Sequence, residues 1–377
     1  MRFRIGRGSY PTGSLINRLV VENLKHRPIR TLLSILVIGV QVTMVLTLVG
    51  LSRGVLDDQK TRARGAGADI VIRPSGSSIL GASGNMNAKI LGFVQKQPHI
   101  RIATGTLIQG TGGLNSITGI DLKTFSAMSG GFRFLEGRPF SGTDEIIIDE
   151  YYADQHKLHV GDKLPALNRN WTVVGIVEPG ILAREIVPLD VLQDLTANSN
   201  KLTMIYAKVD DPKLTGEVIH QLKANLTDYP IYSMEEFVSL YSVNNVPMLK
   251  EFIVVIIGLG SLIGFLVVFL SMYTAVLERT REIGVLKALG ASPGYILGIL
   301  LRETAVLAIA GSILGILLTY GSSWIINSVI HGSLQQAIVP TWWPIAAAIA
   351  IVGAIIGALY PGLKAARQDA IEALSYE

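Results

Sequence analysis

The sequence predicts a membrane protein with four transmembrane α-helices and an α/β (α+β) extracytoplasmic domain inserted between helices 1 and 2. Three observations predict it. Of 377 residues 49% are hydrophobic and the mean hydropathy is +0.43, a composition of membrane rather than soluble chains. Uncharged stretches long enough to span a bilayer run from Thr31 to Ser52, Phe252 to Leu277 and Thr304 to Ile330, with a fourth in the later part of Gly332 to Leu363. Between the first two stretches lie about 200 residues of ordinary charge density, enough for a core of their own.

The leader, 1–30, carries Arg2, Arg4, Arg7, Arg18, Lys25, Arg27 and Arg30 against Glu22 alone. Within 15–26, Leu15, Ile16, Leu19, Val20 and Leu24 share one helical arc and Arg18, Glu22 and Lys25 another. That pattern fits a helix lying on the inner membrane surface; a solvated basic leader is the plainer alternative. Pro28 then allows a bend into the first span, 31–52, which is too long for a signal peptide. It reads as a retained signal anchor.

The domain at 53–250 has mixed texture. Asp69–Arg73 reads as a strand, Ala88–Gln97 as a helix and Ile100–Ile108 as a strand; Leu202–Val209, Gly216–Leu226 and Pro230–Tyr232 repeat that order. Two strand–helix–strand units thus bracket an insert. Within it Glu145–Asp149, the turn at Gly161-Asp162 and Trp171–Val177 suggest a separate β-rich lobe. From Glu235 a helical pattern through Val238, Tyr241 and Leu249 predicts a stiff lever into the second span, kinked at Pro247.

The second span, 251–277, and the third, 304–330, enclose a charged segment at 278–303; an outer loop at 331–340 leads to the fourth span, 341–363, and a tail at 364–377. Leader, segment 278–303 and tail together hold thirteen basic and seven acidic residues, net +6, whereas Arg53 to Glu251 holds 20 basic and 22 acidic, net −2. The loop His331–Pro340 has no Lys or Arg. The positive-inside rule therefore puts both termini and the charged segment in the cytoplasm. The pI near 9.1 is explained by these juxtamembrane charges, so no nucleic-acid partner is implied. Cysteine is absent, which excludes disulfides and cysteine-ligated metals.

Catalytic and energy-coupling signatures are sparse. The sequence contains no G-x-x-x-x-G-K-[ST] or H-E-x-x-H. His156 and His159, near Asp154 and Asp162, form a metal-like cluster or simply a solvated helix end. The uncharged stretches of the four spans hold no Asp, Glu, Lys, Arg or His, so an ion-coupled path lacks its usual groups. Gln41, Thr43, Thr47 and Asn327 suit interhelical hydrogen bonds better than a substrate path. Gly260/Gly264, Gly311/Gly315 and Gly353/Gly357, four apart, suit close helix packing within one chain or across a dimer. Trp324, Trp342 and Trp343 suit interfacial anchoring.

The charged segment is the candidate site. Gly290 suits a helix C-cap, Ser292 an N-cap and Pro293 the first position of the next helix, so a short capped helix forms an elbow between two spans, displaying Arg279, Arg281, Glu282 and Lys287. An interfacial loop carrying positive-inside charges would be the plain reading.

Glu278 to Ser292 reads E-R-T-R-E-I-G-V-L-K-A-L-G-A-S and strongly resembles the MacB/FtsX-like permease family of ABC transporter subunits. Tyr360-Pro361-Gly362-Leu363-Lys364-Ala365-Ala366-Arg367, followed by Ala370-Ile371-Glu372-Ala373-Leu374, resembles that family's Y-P-x-x-x-A-A-R-x-x-x-x-E-A-L ending. The basic leader and the G-D-x-L…W-T-V-V-G-I pattern at Gly161 to Ile176 fit as well, so the resemblance covers nearly the whole chain. It implies a four-span permease that is not itself catalytic, in a bacterial cell (inner) membrane. The permease would work as a dimer, with a second copy or a paralogue, and with cytoplasmic ATPase subunits that bind ATP and Mg. The resemblance assigns ATPase coupling to Glu278, Arg279, Thr280, Arg281, Glu282, Gly284, Lys287, Ala288, Leu289 and Gly290, and a C-terminal motif to Tyr360, Pro361, Ala366, Arg367 and Glu372.

The family's prototype carries its ATPase on the same chain; this sequence points to split-subunit relatives, with a periplasmic adaptor as a further partner if export is tripartite. The function implied is export or extraction by mechanotransmission, and the alternative is a non-transporting ATPase-driven signal relay controlling an extracytoplasmic partner such as a cell-wall hydrolase. A membrane enzyme is poorly supported, for want of a catalytic constellation.

Overall fold

The computed structural model describes residues 28–77, 84–112, 115–246, 248–329 and 335–368. These fall into two compact units, one within Met1–Gly50, Glu251–Ile325 and Ala337–Glu377, the other within Leu51–Lys250 and Ile326–Gln336. The leader helix at 15–26, Pro247 and Glu372 lie outside the described residues.

Among the described residues four helices are long and apolar enough to cross a membrane, and their apolar parts make up the first unit: α1 (Pro28–Gly65), α8 (Leu249–Glu278), α10 (Pro293–Val329) and α11 (Trp343–Arg367). Five of the six paired glycines pack helices together within the chain, and a Cβ at Gly353 would meet nothing within 4 Å. A Cβ at Gly315 would lie 2.6 Å from the Gly39 carbonyl oxygen of α1, and one at Gly311 2.7 Å from Ile38. Gly260 and Gly264 meet Met44 and Gln41 of the same helix, and Gly357 of α11 meets the Phe265 backbone of α8. Such close approach brings polar groups into range. Thr43 Oγ1 donates to the Gly315 carbonyl at 3.0 Å, and the hydroxyls of Thr47 and Ser322, and of Ser34 and Ser271, pair at 3.1 and 3.0 Å. Thr43 and Thr47 therefore do serve as interhelical ties. Asn327 instead accepts from the Gln336 backbone at 3.0 Å.

The second unit is built on one ten-stranded sheet, ordered β12-β1-β11-β3-β4-β9-β6-β8-β5, with β7 beside β8. Its strands are β1 (Ile70–Ile72), β3 (Ile100–Gly112), β4 (Asn115–Ile120), β5 (Phe134–Gly137), β6 (Glu145–Asp149), β7 (Lys163–Ala166), β8 (Arg169–Val177), β9 (Glu185–Pro188), β11 (Met204–Val209) and β12 (Ile231–Ser233). β2 (Met86–Asn87) and β10 (Lys201–Leu202) form a separate ribbon. The short helices are α2 (Lys89–Val94), α3 (Leu122–Ser129), α4 (Glu150–His156), α5 (Leu189–Leu195), α6 (Thr215–Asn225) and α7 (Met234–Ser239).

Alternation along β1 shows why the sheet is covered on both faces. Ile70 and Ile72 join a cluster with Val94, Val218 and Leu222 of α2 and α6, while Val71 joins Phe125, Met128 and Phe237 of α3 and α7. A third cluster holds Trp171, fully buried, with Tyr152 and Leu192.

Three expectations are corrected. The insert is not a separate lobe: β4 and β9 pair in parallel, Ile117 with Glu185 through Ile120 with Pro188, making one continuous sheet. The lever expected ahead of the second span is absent, since α7 ends at Ser239 and α8 starts at Leu249, with Met248 left-handed at φ 63. The extension belongs to the first span, whose helix continues thirteen residues beyond Ser52, to Gly65.

Candidate functional site

Helix α8 stops at Glu278 because Arg279 leaves helical geometry (φ −106, ψ 13); α9 (Thr280–Ala288) then forms the elbow. Its end is a Schellman motif. Gly290, at φ +91, supplies the left-handed residue; its N–H donates to the Lys287 carbonyl at 2.9 Å and the Ala291 N–H to the Leu286 carbonyl at 3.0 Å. The next helix starts at once. Ser292 Oγ accepts from the Tyr295 N–H at 3.2 Å and Pro293 occupies the first helical position, as the sequence predicts.

The elbow's charges divide into two sets. Arg281 and Glu282 are exposed, together with Val285, Ala288 and Leu289, the last at 81%. Arg279 is not displayed: it turns inward, and its Nη1 donates to Glu303 Oε2 of α10 at 3.1 Å, with the two side chains 10% and 7% exposed. Lys287 is half-buried and its Nζ donates to the Gln368 carbonyl just past α11. Glu278, at the end of α8, faces Arg30 of α1 at 3.7 Å.

Thr280 and Gly284 form the elbow's buried face with Ile283, and Thr280 Oγ1 donates back to the Leu277 carbonyl at 2.9 Å. The elbow is thus tied to α10 and the end of α11 on one side and bare on the other. Glu303 is the partner of Arg279 that sequence reasoning left out; a carboxylate at the charged end of an uncharged span was the available signal.

The C-terminal motif lies on α11. Pro361, Ala365 and Ala366 are buried, and a Cβ at Gly362 would sit 2.9 Å from Leu297, so small residues let α11 approach α10. Tyr360 and Arg367 are exposed; Tyr360 stands 6.0 Å from the Phe269 ring, and Lys364 Nζ 5.2 Å from the centre of the Tyr273 ring.

In the outer unit a cleft of about 850 Å³ is lined by residues including Asp121, Lys123, Ser126, Phe140, Asp190 and Gln193. The histidines are not drawn into a metal site. His156 stacks on Tyr152 at 4.2 Å and His159 Nδ1 lies 3.7 Å from Asp162; among the described residues there is no group of three or more His, Asp or Glu placed to hold a metal.

Comparison with known proteins adds the following. Residues 31–225 match the MacB-like periplasmic core domain and residues 254–370 the FtsX-like permease C-terminal domain. An ABC transporter permease of Methanocaldococcus jannaschii, MJ1507, is 26% identical over 66% of this chain and 66% of its own length. The macrolide export ATP-binding/permease protein MacB of Escherichia coli is 25% identical over 96% of this chain and 60% of its own. The ABC transporter permease YtrF of Bacillus subtilis is 31% identical over 43% and 40%. The chain thus spans between two fifths and two thirds of the length of these relatives. The periplasmic region of MacB from Actinobacillus actinomycetemcomitans aligns at 16% identity and TM-score 0.36, over 46% of this chain and 92% of that one. By its matched core domain and permease domain, the chain belongs to the MacB-like and FtsX-like family of ABC transporter permeases.

Proposed function

We propose that this chain is the permease subunit of an ABC transporter, passing the work of ATP hydrolysis in a separate ATPase to its outer domain for export or extraction of a substrate. The observation that carries this reading is the elbow α9. A capped helix between two spans, fixed at its start by Arg279 to α10 and at its end by Lys287 to the end of α11, and bare on the other face, has the form of a seat for a second subunit. On its bare face Arg281 and Glu282 supply charge, and Val285 and Leu289 supply apolar contact. The relatives named as ATP-binding/permease proteins support the pairing.

In this reading both termini and the elbow are cytoplasmic, the chain works as a dimer in the cell (inner) membrane, and ATP and Mg are bound by the ATPase. Within the seat Arg279 positions rather than touches: its ion pair to Glu303 fixes the start of α9 to α10, so a push on Leu289 reaches a span. Co-purification of the full chain with its ATPase, and stimulation of ATP hydrolysis, test it. The reversal Arg281→Glu with Glu282→Arg should abolish both; intact assembly with unchanged hydrolysis would sink the reading.

A further inference from the structure

The elbow gives no task to Tyr360, Lys364 and Arg367, the exposed side chains of the C-terminal motif. They stand beside an aromatic ladder on the neighbouring span. Phe265, Phe269 and Tyr273 recur four apart on α8 and so share one face of it, and their half-buried rings follow one another at 6.2 and 6.1 Å with interplanar angles of 24° and 18°. Gly357 lets α11 come in beside the first rung, since a Cβ there would lie 2.9 Å from the Phe265 carbonyl oxygen. About one turn on, Tyr360 stands 6.0 Å from the Phe269 ring; one turn further, Lys364 lies over Tyr273, its Nζ 5.2 Å from the ring centre and 3.4 Å from the hydroxyl to which it donates.

The two helices thus present one strip whose chemistry changes along its length. It is apolar at Phe265 and Phe269, amphipathic at Tyr273 and Tyr360, and cationic at Lys364 and Arg367. The change falls where the spans end: Leu277 closes the uncharged stretch of α8, and Lys364 is the first charge after that of α11.

Charge pairing sets the two cations apart from others at this end. Arg30 faces Glu278, Arg279 is paired with Glu303, and Lys287 gives its Nζ to a backbone carbonyl. Among the described residues neither Lys364 nor Arg367 has a carboxylate within ion-pair distance. Three apart on α11, they fall on one side of it. Two such donors with phenol hydroxyls beside them suit a phosphate at headgroup level, and basic sites between spans on the cytoplasmic side favour anionic headgroups. Flat rings below that level suit an acyl chain.

We propose that Tyr273, Tyr360, Lys364 and Arg367 seat the headgroup of one anionic phospholipid, with an acyl chain laid along Phe265 and Phe269. The occupant is a lipid and not a free phosphate, because a small anion would leave the apolar half of the strip uncovered. With the permease reading above, this site shares the placement of the charged end at a membrane surface and nothing that concerns the ATPase.

Native mass spectrometry of the full chain in detergent counts bound lipid during titration with phosphatidylglycerol or phosphatidylcholine of identical acyl chains. The first phosphatidylglycerol should bind the more tightly of the two. Lys364→Gln and Arg367→Gln should each weaken it about fivefold and leave phosphatidylcholine unchanged. Lys364→Arg should keep the preference, and so should Arg302→Gln, which removes one exposed charge from α10. Glycerol phosphate at the lipid's concentration should not displace it. All four substitutions are at exposed positions, and melting curves in the same detergent confirm that each variant is folded.

Equal affinity for the two lipids in the unaltered chain overturns the seat. Equal weakening by Arg302→Gln does so too, since it would show diffuse surface charge, as does displacement by glycerol phosphate, which would show an anion site without a lipid. A monomer–dimer balance shifted by Lys364→Gln, with lipid binding unchanged, would give the strip to a second copy of the chain instead. Each of these failures leaves ATPase co-purification, on which the permease reading stands, as it was.

Discussion

Arg279 Nη1 and Glu303 Oε2 meet at 3.1 Å across 24 residues of sequence, both side chains nearly out of solvent, at the one place where α8 yields to α9. Removing either partner strands the other's charge. Arg279→Ala should therefore destabilise the chain by about 3–5 kcal/mol, and the swap Arg279→Glu with Glu303→Arg should recover part of that. Thermal unfolding of the full chain in detergent decides it; additive losses in the swapped variant would show that the pair is not coupled.

Leu289 predicts the opposite profile. At 81% exposure its truncation to alanine removes almost no packing, so the unfolding free energy should stay within about 0.5 kcal/mol of unchanged. If α9 seats the ATPase, the same truncation should weaken co-purification severalfold, because an apolar anchor at the centre of an interface carries a large share of binding. Equal binding by both forms would remove Leu289 from the seat.

The glycines give an internal control for packing. A methyl at Gly315 would press on the Gly39 carbonyl and Val42, and Gly315→Ala should cost about 1–3 kcal/mol, whereas nothing stands within 4 Å of a Cβ at Gly353 and Gly353→Ala should be neutral within the chain. Denaturation curves of the two variants side by side test the contrast. A cost at Gly353 seen only under conditions that favour dimers would place that face between copies.

Two carboxyls in the outer domain give stability a pH dependence of known sign. Burial, with Asp149 nearby, pushes Glu185 up to about 8, and burial raises Asp149 to about 6. The folded state therefore holds a proton on Glu185 that the unfolded chain, titrating near 4.5, has lost, and stability falls as pH rises from about 4.5 to about 8. Glu185→Gln should flatten that slope and leave the variant the more stable form at pH 8, read from melting curves between pH 5 and 9. Glu145 works at the other end: Arg138 and the Ser141 and Gly142 N–H groups hold it near 2, so its contribution is present above about 4.5 and lost in stronger acid.

The elbow was legible because its signals are local. Gly290, Ser292 and Pro293 each act within four residues of themselves, and the caps they predict are the caps that form. Arg279 was misread as displayed because its partner lies on another helix, and nothing in E-R-T-R-E says which arginine turns inward. Continuity of the sheet failed for the same reason: the parallel pairing of β4 with β9 joins residues about 68 apart. The length of α1 was a different kind of miss. Charges after Ser52 end the apolar stretch, but Arg53–Asp57 and Asp58–Arg62 at i,i+4 signal a helix that outlasts it.

An unbroken α1 makes chain length a matter of angle as well as distance. Each residue added between Asp58 and Gly65 would shift one against the other by ~1.5 Å and turn it by about 100°, so Asp58 could not meet Arg184 while Gly65 keeps its place against Gly180. Among homologous chains the spacing between these two positions should therefore be kept residue for residue.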